Sequence, residues 1–224
     1  MSRLEWDKVG EHLYETGVDR GVLYLYDSAK QAYLDGEAWN GLTSVSENPT
    51  GGDNNEYYAD NIKYLNIKAA EDFAATVGCY TYPDSWAACN GEAEYVKGIS
   101  LTQQTRATFG LCYRTKIGND TENIDHGYKL HLVYGATSSP TSKDYNTIND
   151  NPDPAEFSFD IATTPVPVEG YKPTAHIIIN STKIDPDELK KLEDVLYGTN
   201  GEGDSDGTAP RLPLPNELPE ILAV

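Results

Sequence analysis

The stretch from Thr105 to Gly135, TRATFGLCYRTKIGNDTENIDHGYKLHLVYG, constrains this chain more than any other. In its first arm Phe109, Leu111 and Tyr113 alternate with Thr108, Gly110, Cys112 and Arg114. In its second, Tyr128, Leu130, Leu132 and Tyr134 alternate with Lys129, His131 and Val133. A repeat of two is the side-chain period of a β-strand. Between the arms, Ile117 to Gly127 carries Gly118, Asn119, Asp120, Asn123 and Asp125, residues that accept turn dihedrals and hydrogen-bond their own backbone. The expectation is a long antiparallel hairpin with Phe109, Leu111, Tyr113, Leu130 and Leu132 on an apolar face and Thr108, Arg114, Lys129 and His131 on a polar one. One sheet cannot cover such an apolar face alone, so a second layer must pack on it.

The rest of the chain supplies further strands. Gly21 to Asp27, GVLYLYD, puts Val22, Tyr24 and Tyr26 on one side and Leu23 and Leu25 on the other, as a strand covered on both faces requires. After Tyr33, Leu34 and Gly36, the segment Ala38 to Glu47 has the hydroxyl residues of a strand with one wet face. Asn48 to Asn55, NPTGGDNN, reads as the flexible tip of a second long hairpin, and Tyr57 to Ile67 as its returning strand. Ala70 to Tyr82 begins like a helix, but Phe73, Ala75, Val77 and Cys79 keep a period of two, so it is read as a strand. Pro83 to Cys89 fits one helical turn with Trp86 inward. Pro152 and Pro154 bound a polar loop that starts near Ser138; Phe157 to Thr163 is a strand ended by Pro165 and Pro167. Ala175, Ile177 and Ile179 mark a last strand whose near-continuous apolar run predicts burial on both sides.

One helix stands out, over residues 185–197. Asp185 is a good N-cap, Pro186 suits the first helical position, Asp187 and Glu188 complement the dipole, and Gly198 closes the end. Leu189, Leu192, Val195 and Leu196 recur at helical spacing and predict one apolar stripe laid across a sheet. Residues 1–20 read as an N-terminal arm and 21–198 as one β domain ending in this helix. Residues 199–224 read as a polar linker followed by a proline-rich strap, with Leu212, Leu214, Leu218, Ile221 and Leu222 too apolar for an idle tail and expected to dock on another subunit.

Charge and motif content narrow the function. The chain has 224 residues and a formal net charge of -19, which excludes a protein that grips phosphate backbones through lysine and arginine. Cys79, Cys89 and Cys112 are widely and irregularly spaced, with no CxxC, and read as buried thiols of a reducing compartment. The first residues, with mixed charges and no long apolar segment, read as neither a signal peptide nor a membrane anchor. No GxSxG, HExxH, P-loop or GxGxxG is present. His126 and His131 lie five apart on a strand and point to opposite faces; His131 and His176 sit among alternating apolar residues, where a hydrogen-bonded structural histidine is expected. Glu202, Asp204, Asp206 and Gly207 resemble half a calcium loop, but Pro213 stands where the closing glutamate is needed, so a solvated linker is the reading. No catalytic constellation, cofactor site or metal site emerges.

Several strings taken together resemble the major tail protein, or tail tube protein, of long-tailed (siphovirus-type) bacteriophages and prophages of Gram-positive bacteria. They are GVDRGVLYLYD from Gly17, AWNGLTSVSENPTGG from Ala38, YADNIKYLN from Tyr58, ATVGCYTYPDSWAACNG from Ala75, TFGLCYRTKIGNDT with DHGYKLHLVYGA between Thr108 and Ala136, and FSFDIATTPV from Phe157. The resemblance covers residues 17 to 180. It implies a mainly β fold, a β-sandwich or partial barrel of two packed antiparallel sheets with a flanking α-helix. Six copies would form a ring whose inner sheets join into one closed β-barrel, with rings stacked into a helical tube through which DNA is ejected into the host. It further implies a virion-tail location after assembly in the host cytoplasm, no catalysis and no cofactor. Implied partners are other copies of the chain, tail proteins such as the tape measure, tail terminator and baseplate components, and DNA in transient, non-specific passage, with no membrane.

By the same resemblance, Asn48, Pro49, Thr50, Gly51, Gly52 and Asp53 match a long hairpin tip that contacts the adjacent ring, and the strap leucines and Ile221 would add further inter-ring contacts. Asp120, Glu122 and Asp125, with Arg114 and Lys129, become candidates for the lumen or its mouth; a lumen-facing Arg114 or Lys129 would need a carboxylate partner if the channel is to repel DNA. A carbohydrate-binding β-sandwich module of a phage receptor-binding component is the alternative. The 16 tyrosines permit sugar stacking, but Trp6, Trp39 and Trp86 are scattered.

Overall fold

The computed structural model describes residues 3–148, 154–201 and 206–223. In chain order the elements are β1 (Tyr14–Asp27), β2 (Ala32–Tyr33), β3 (Glu37–Trp39), β4 (Leu42–Glu47), β5 (Thr50–Gly51), β6 (Asn54–Ala59), β7 (Ile62–Lys68), β8 (Glu71–Asp72) and β9 (Ala74–Cys79). There follow α1 (Trp86–Cys89), β10 (Ala93–Val96), β11 (Ile99–Leu101), β12 (Phe109–Asn119), β13 (Asn123–Ser138), β14 (Phe157–Thr163), β15 (His176–Asn180), α2 (Pro186–Tyr197) and α3 (Leu218–Ile221). The mainly β expectation holds. Among the described residues nine strands make one antiparallel sheet in the order β2-β1-β12-β13-β14-β9-β4, with β3 also on β1 and β15 also on β13.

This sheet curls into a partial barrel. The chain steps from β3, paired with β1, to β4, paired with β9, across Asn40 and Gly41 alone, which brings the two ends of the sheet side by side. Gly41 makes the step at φ 74, a left-handed conformation that a side chain would strain. Inside the curl, Leu23, Trp39, Val77, Phe109, Leu111, Val133, Phe159 and Ile161 form one buried cluster around Trp86. The Trp86 ring centroid lies 4.7 Å from Trp39, 5.0 Å from Phe109 and 4.9 Å from Phe159, so the single turn of α1 plugs the barrel as the proline–tryptophan spacing predicts.

A second core lies on the outer face. Tyr24, Cys112, Leu130, Leu132 and Tyr134 pack against Leu189, Leu192 and Leu196 of α2. Asp185 caps this helix by accepting the Asp187 N–H at 2.9 Å, as expected. At its far end the Tyr24 hydroxyl donates to the Leu196 carbonyl at 2.6 Å, satisfying one of the helix's orphan acceptors. All three cysteines are free and buried, and burial pushes the Cys89 and Cys112 thiols up to about 12.

The central hairpin corrects the expected faces. Leu111 opposes Val133, Cys112 opposes Leu132, Tyr113 opposes His131 and Arg114 opposes Leu130. Residues directly opposed across an antiparallel pair share a face. Phe109, Leu111 and Tyr113 therefore enter the barrel, whereas Leu130 and Leu132 face α2, and Arg114 and Lys129 lie on opposite sides. The two arms are out of phase with the simple reading because the connection, Asp120–Thr121–Glu122, has an odd number of residues and so pairs odd positions with odd; the irregularity between Ile117 and Asn119 shifts the ladder by two and keeps that phase. Where β13 passes from β15 to β14, Gly135 has φ 58, and a Cβ there would stand 2.3 Å from the Thr164 carbonyl oxygen.

Three further expectations change. Ala38 to Glu47 is two strands in different places, and Tyr57 to Ile67 is a hairpin, with Asp60 and Asn61 at φ 52 and 63 as its turn. Ile178 of β15 is 50% exposed, so the last strand is buried on one face only. The segment after Pro210 packs on this same chain, burying Leu212, Leu218 and Leu222 in the core with α2. Its prolines prevent it from making a core of its own, but an extended segment needs only the outer face of the barrel to bury its leucines. Pro152, Glu202 and Asp204 lie outside the described residues.

Candidate assembly surfaces

Beyond the barrel the chain from β4 to β9 continues as one long β-arm. Thr50 and Gly51 pair with Asp72 and Glu71, and Asn54 to Ala59 pair with Ile62 to Lys68. Asn48, Pro49, Thr50, Gly51, Gly52 and Asp53 are thus the stalk of the arm. Asn48 is held by donating its N–H to Ala74 O at 2.7 Å, and Gly52 donates to Ala70 O at 3.0 Å. The tip is Asp60–Asn61, a two-residue turn set between alternating residues, and not the segment Asn48 to Asn55.

The outer arm has two unlike faces. By register Tyr57 opposes Leu65, Asn55 opposes Ile67 and Ala59 opposes Ile62, which gathers the apolar residues on one side. On the other, Glu56 forms an ion pair with Lys63 and accepts the Tyr58 hydroxyl at 2.8 Å. Exposure of the arm's large apolar residues runs from 48% for Leu65 to 68% for Tyr58. A smaller hairpin, β10 and β11, exposes Tyr95, Val96, Ile99 and Leu101. Strands of four and three residues carry too short an alternation to be legible in the sequence.

The expected lumen and mouth candidates divide by place. Asp120 and Glu122 sit at the tip of the central hairpin, folded under residues 8–12. Asp120 accepts the Gly10 N–H at 2.9 Å and lies 3.2 Å from His12 Nδ1, and the Gly10 bond holds its carboxyl below the ordinary range. Glu122 contacts His126. Asp125 and Arg114 line one open cleft of about 310 Å³ with Lys116 and Tyr128. Arg114 and Lys129 are both paired, Arg114 through a two-pronged contact with Asp19 (2.6 and 2.7 Å) and Lys129 with Glu15. Both carboxylates belong to β1, which begins at Tyr14 within the segment read as an arm.

The Asp19 pair gives a pH prediction. Hydrogen bonding from Arg114 lowers the Asp19 pKa, so its stabilisation is fully present above the unfolded carboxylate value of about 3.9 and is lost as pH falls through the folded value. Asp19→Asn should cost about 1 kcal/mol at pH 7, discounted for partial exposure. In urea titrations the gap between variant and wild type should stay level down to about pH 5 and close below about pH 4. A gap that does not change with pH would show that the pair contributes nothing as an ion pair.

At the root of the arm three polar side chains converge from three strands. Glu47 ends β4, His131 lies mid-way along β13 and His176 opens β15. His131 Nδ1 is 3.1 Å from His176 Nε2 and 3.4 Å from a Glu47 carboxylate oxygen, while its Nε2 is 3.0 Å from Thr115 Oγ1. The Tyr113 hydroxyl donates to Glu47 at 2.8 Å, and its ring stacks on His131 at 4.5 Å. Burial pushes the His131 pKa down to about 4, and burial also lowers that of His176. Each histidine is hydrogen-bonded, as expected, but their meeting each other was not readable across 45 residues of sequence.

No family model matches the sequence, and no curated protein does either. Among solved structures the chain is similar to one in the extracellular contractile injection system PVC, sheath–tube complex in its extended state, at 14% identity and a TM-score of 0.36, covering 72% of this chain and 88% of that one. It is also similar to the anti-feeding prophage cap, the AFP tube terminating cap, at 13% identity and a TM-score of 0.35, covering 81% of this chain and 97% of that one.

Proposed function

We propose that this chain is a structural tail tube subunit that assembles with copies of itself. The observation that carries the reading is the β-arm, which holds an apolar face of Tyr57, Ile62, Leu65 and Ile67 in solvent, away from its own core. A two-stranded ribbon is marginal alone, and an exposed apolar patch on such a ribbon marks a contact surface. Laying the arm on an adjacent ring would cover it. Residues 21–198 are then the wall domain, with β1 extending it to Tyr14 and the docked C-terminal segment completing it.

The finer parts of this reading rest on the resemblance of the segments from Gly17 to Val166. They are the hexameric ring, the inner barrel continued across copies, the stacking into a helical tube, and DNA passing through to the host. A non-catalytic role, a place in the virion tail, and contacts with tape measure, terminator and baseplate proteins belong to the same reading. The charge of -19 supports it, since a carboxylate-rich wall gives passing phosphates no site to hold. The carbohydrate-binding alternative finds no tryptophan platform: Trp39 and Trp86 are in the core, and Trp6, 72% exposed, stands apart from them.

The test is a variant carrying Tyr57→Ser, Ile62→Lys, Leu65→Ser and Ile67→Ser. It should melt with the wild-type subunit yet remain monomeric in sedimentation velocity, where the wild type is expected to form large assemblies. Assembly equal to wild type would remove the arm from the mechanism.

A further inference from the structure

We propose that Glu47, His131 and His176 bind one divalent transition-metal ion of the zinc class, which clamps the root of the β-arm to the main sheet. One ligand atom from each lies within 4.8 Å of the other two. Two imidazole nitrogens bound tetrahedrally at about 2.0–2.1 Å stand roughly 3.3 Å apart, with ring centroids roughly 5.2 Å apart. Here the nitrogens are 3.1 Å apart and the centroids 5.3 Å, and the Glu47 oxygen is 3.4 Å from His131 Nδ1. The two imidazoles are thus already at ligand spacing, and the Glu47 oxygen, within 4.8 Å of the His176 nitrogen, reaches the same ion by a swing of its carboxylate of about an ångström.

The surroundings orient these groups as ligands. Thr115 Oγ1 is placed to accept from His131 Nε2, which leaves the Nδ1 lone pair free, and this is how metal-bound histidines are fixed in tautomer and angle. Tyr113 does the same for Glu47 by donating to its carboxylate and stacking on His131. Two imidazoles and one carboxylate suit zinc-class ions and disfavour magnesium or calcium, which take all-oxygen shells. His176 lines an open cleft of about 240 Å³ together with Glu71, Phe73 and Thr174, and Glu47 is itself exposed, so an ion has an approach to both. Because Glu47 is the last residue before the stalk, an ion there would cross-link β4, β13 and β15 where the arm leaves the barrel.

The experiment uses the full chain, stripped with a chelator and dialysed, titrated with Zn²⁺ against a chromophoric competitor and separately with Co²⁺ in the visible range. The expected result is one equivalent of Zn²⁺ per chain, the absorption bands of four-coordinate Co²⁺, and a raised melting temperature. Binding should weaken at least tenfold in both His176→Ala and Glu47→Gln. Glu47→Gln preserves shape, so it reports on ligation even if the histidine variant folds poorly. His12→Ala and His126→Ala, which alter the tip cluster, should bind as wild type. Absence of Zn²⁺ binding by the wild-type chain would overturn the proposal, as would undiminished binding by Glu47→Gln and His176→Ala; the triad would then be a hydrogen-bonded structural cluster only.

Discussion

Truncation after Ala209 is expected to remove most of the stability of the isolated subunit. Leu212, Leu218 and Leu222 are buried against Tyr134, Leu192 and Leu196, and each is the kind of core leucine whose loss costs about 2–5 kcal/mol. The backbone is tied in as well. Gly36 N–H donates to Pro210 O at 2.8 Å, Arg211 N–H to Val195 O at 2.8 Å, and the Tyr134 hydroxyl to Pro213 O at 3.0 Å. Gly110 leaves room for Leu212, whose Cδ2 would lie 2.3 Å from a Cβ at that position. Against a total of about 5–15 kcal/mol for an ordinary domain, such a loss leaves little folded protein. Urea unfolding of the truncated chain, in the background of the non-assembling arm variant, should show a collapse of the transition midpoint. Unchanged stability would return the segment to the role of a strap for a neighbouring subunit.

The second large effect is at Trp86. Its ring is in contact with Trp39, Phe109 and Phe159, so one side chain joins β3, β12 and β14 across the inside of the barrel. Trp86→Ala should cost about 3–5 kcal/mol, and Trp86→Phe, which keeps an aromatic ring in the space, distinctly less. Thermal unfolding followed in the far ultraviolet would rank them. Equal losses in the two variants would mean that the cluster is held by something other than ring packing at that position.

Local patterns were legible where one segment carries its whole signal. Phe157–Thr163 appears as read, and so does the helix with its Asp185 cap, first-turn acids and closing Gly198. What could not be read is phase and pairing at a distance. The faces of the central hairpin depend on the odd length of its three-residue connection, which fixes the phase of one arm against the other without leaving a mark in the alternation. The docking of the C-terminal leucines depends on the outer face of the barrel, which no local pattern describes. Glu47 and His131 are 84 residues apart, and only the return of β4 to the barrel brings them together. Asp60–Asn61 is different, since its turn chemistry was present in the sequence and the apolar residues flanking it were read as one strand.

The most direct measurement of the central claim is electron microscopy of the purified full-length chain at high concentration. The account predicts rings or stacked tubes with an axial channel in wild-type images, and single particles of subunit size for the Tyr57, Ile62, Leu65 and Ile67 variant. A wild-type chain that stays monomeric at every concentration, with its arm intact and its fold stable, would contradict it.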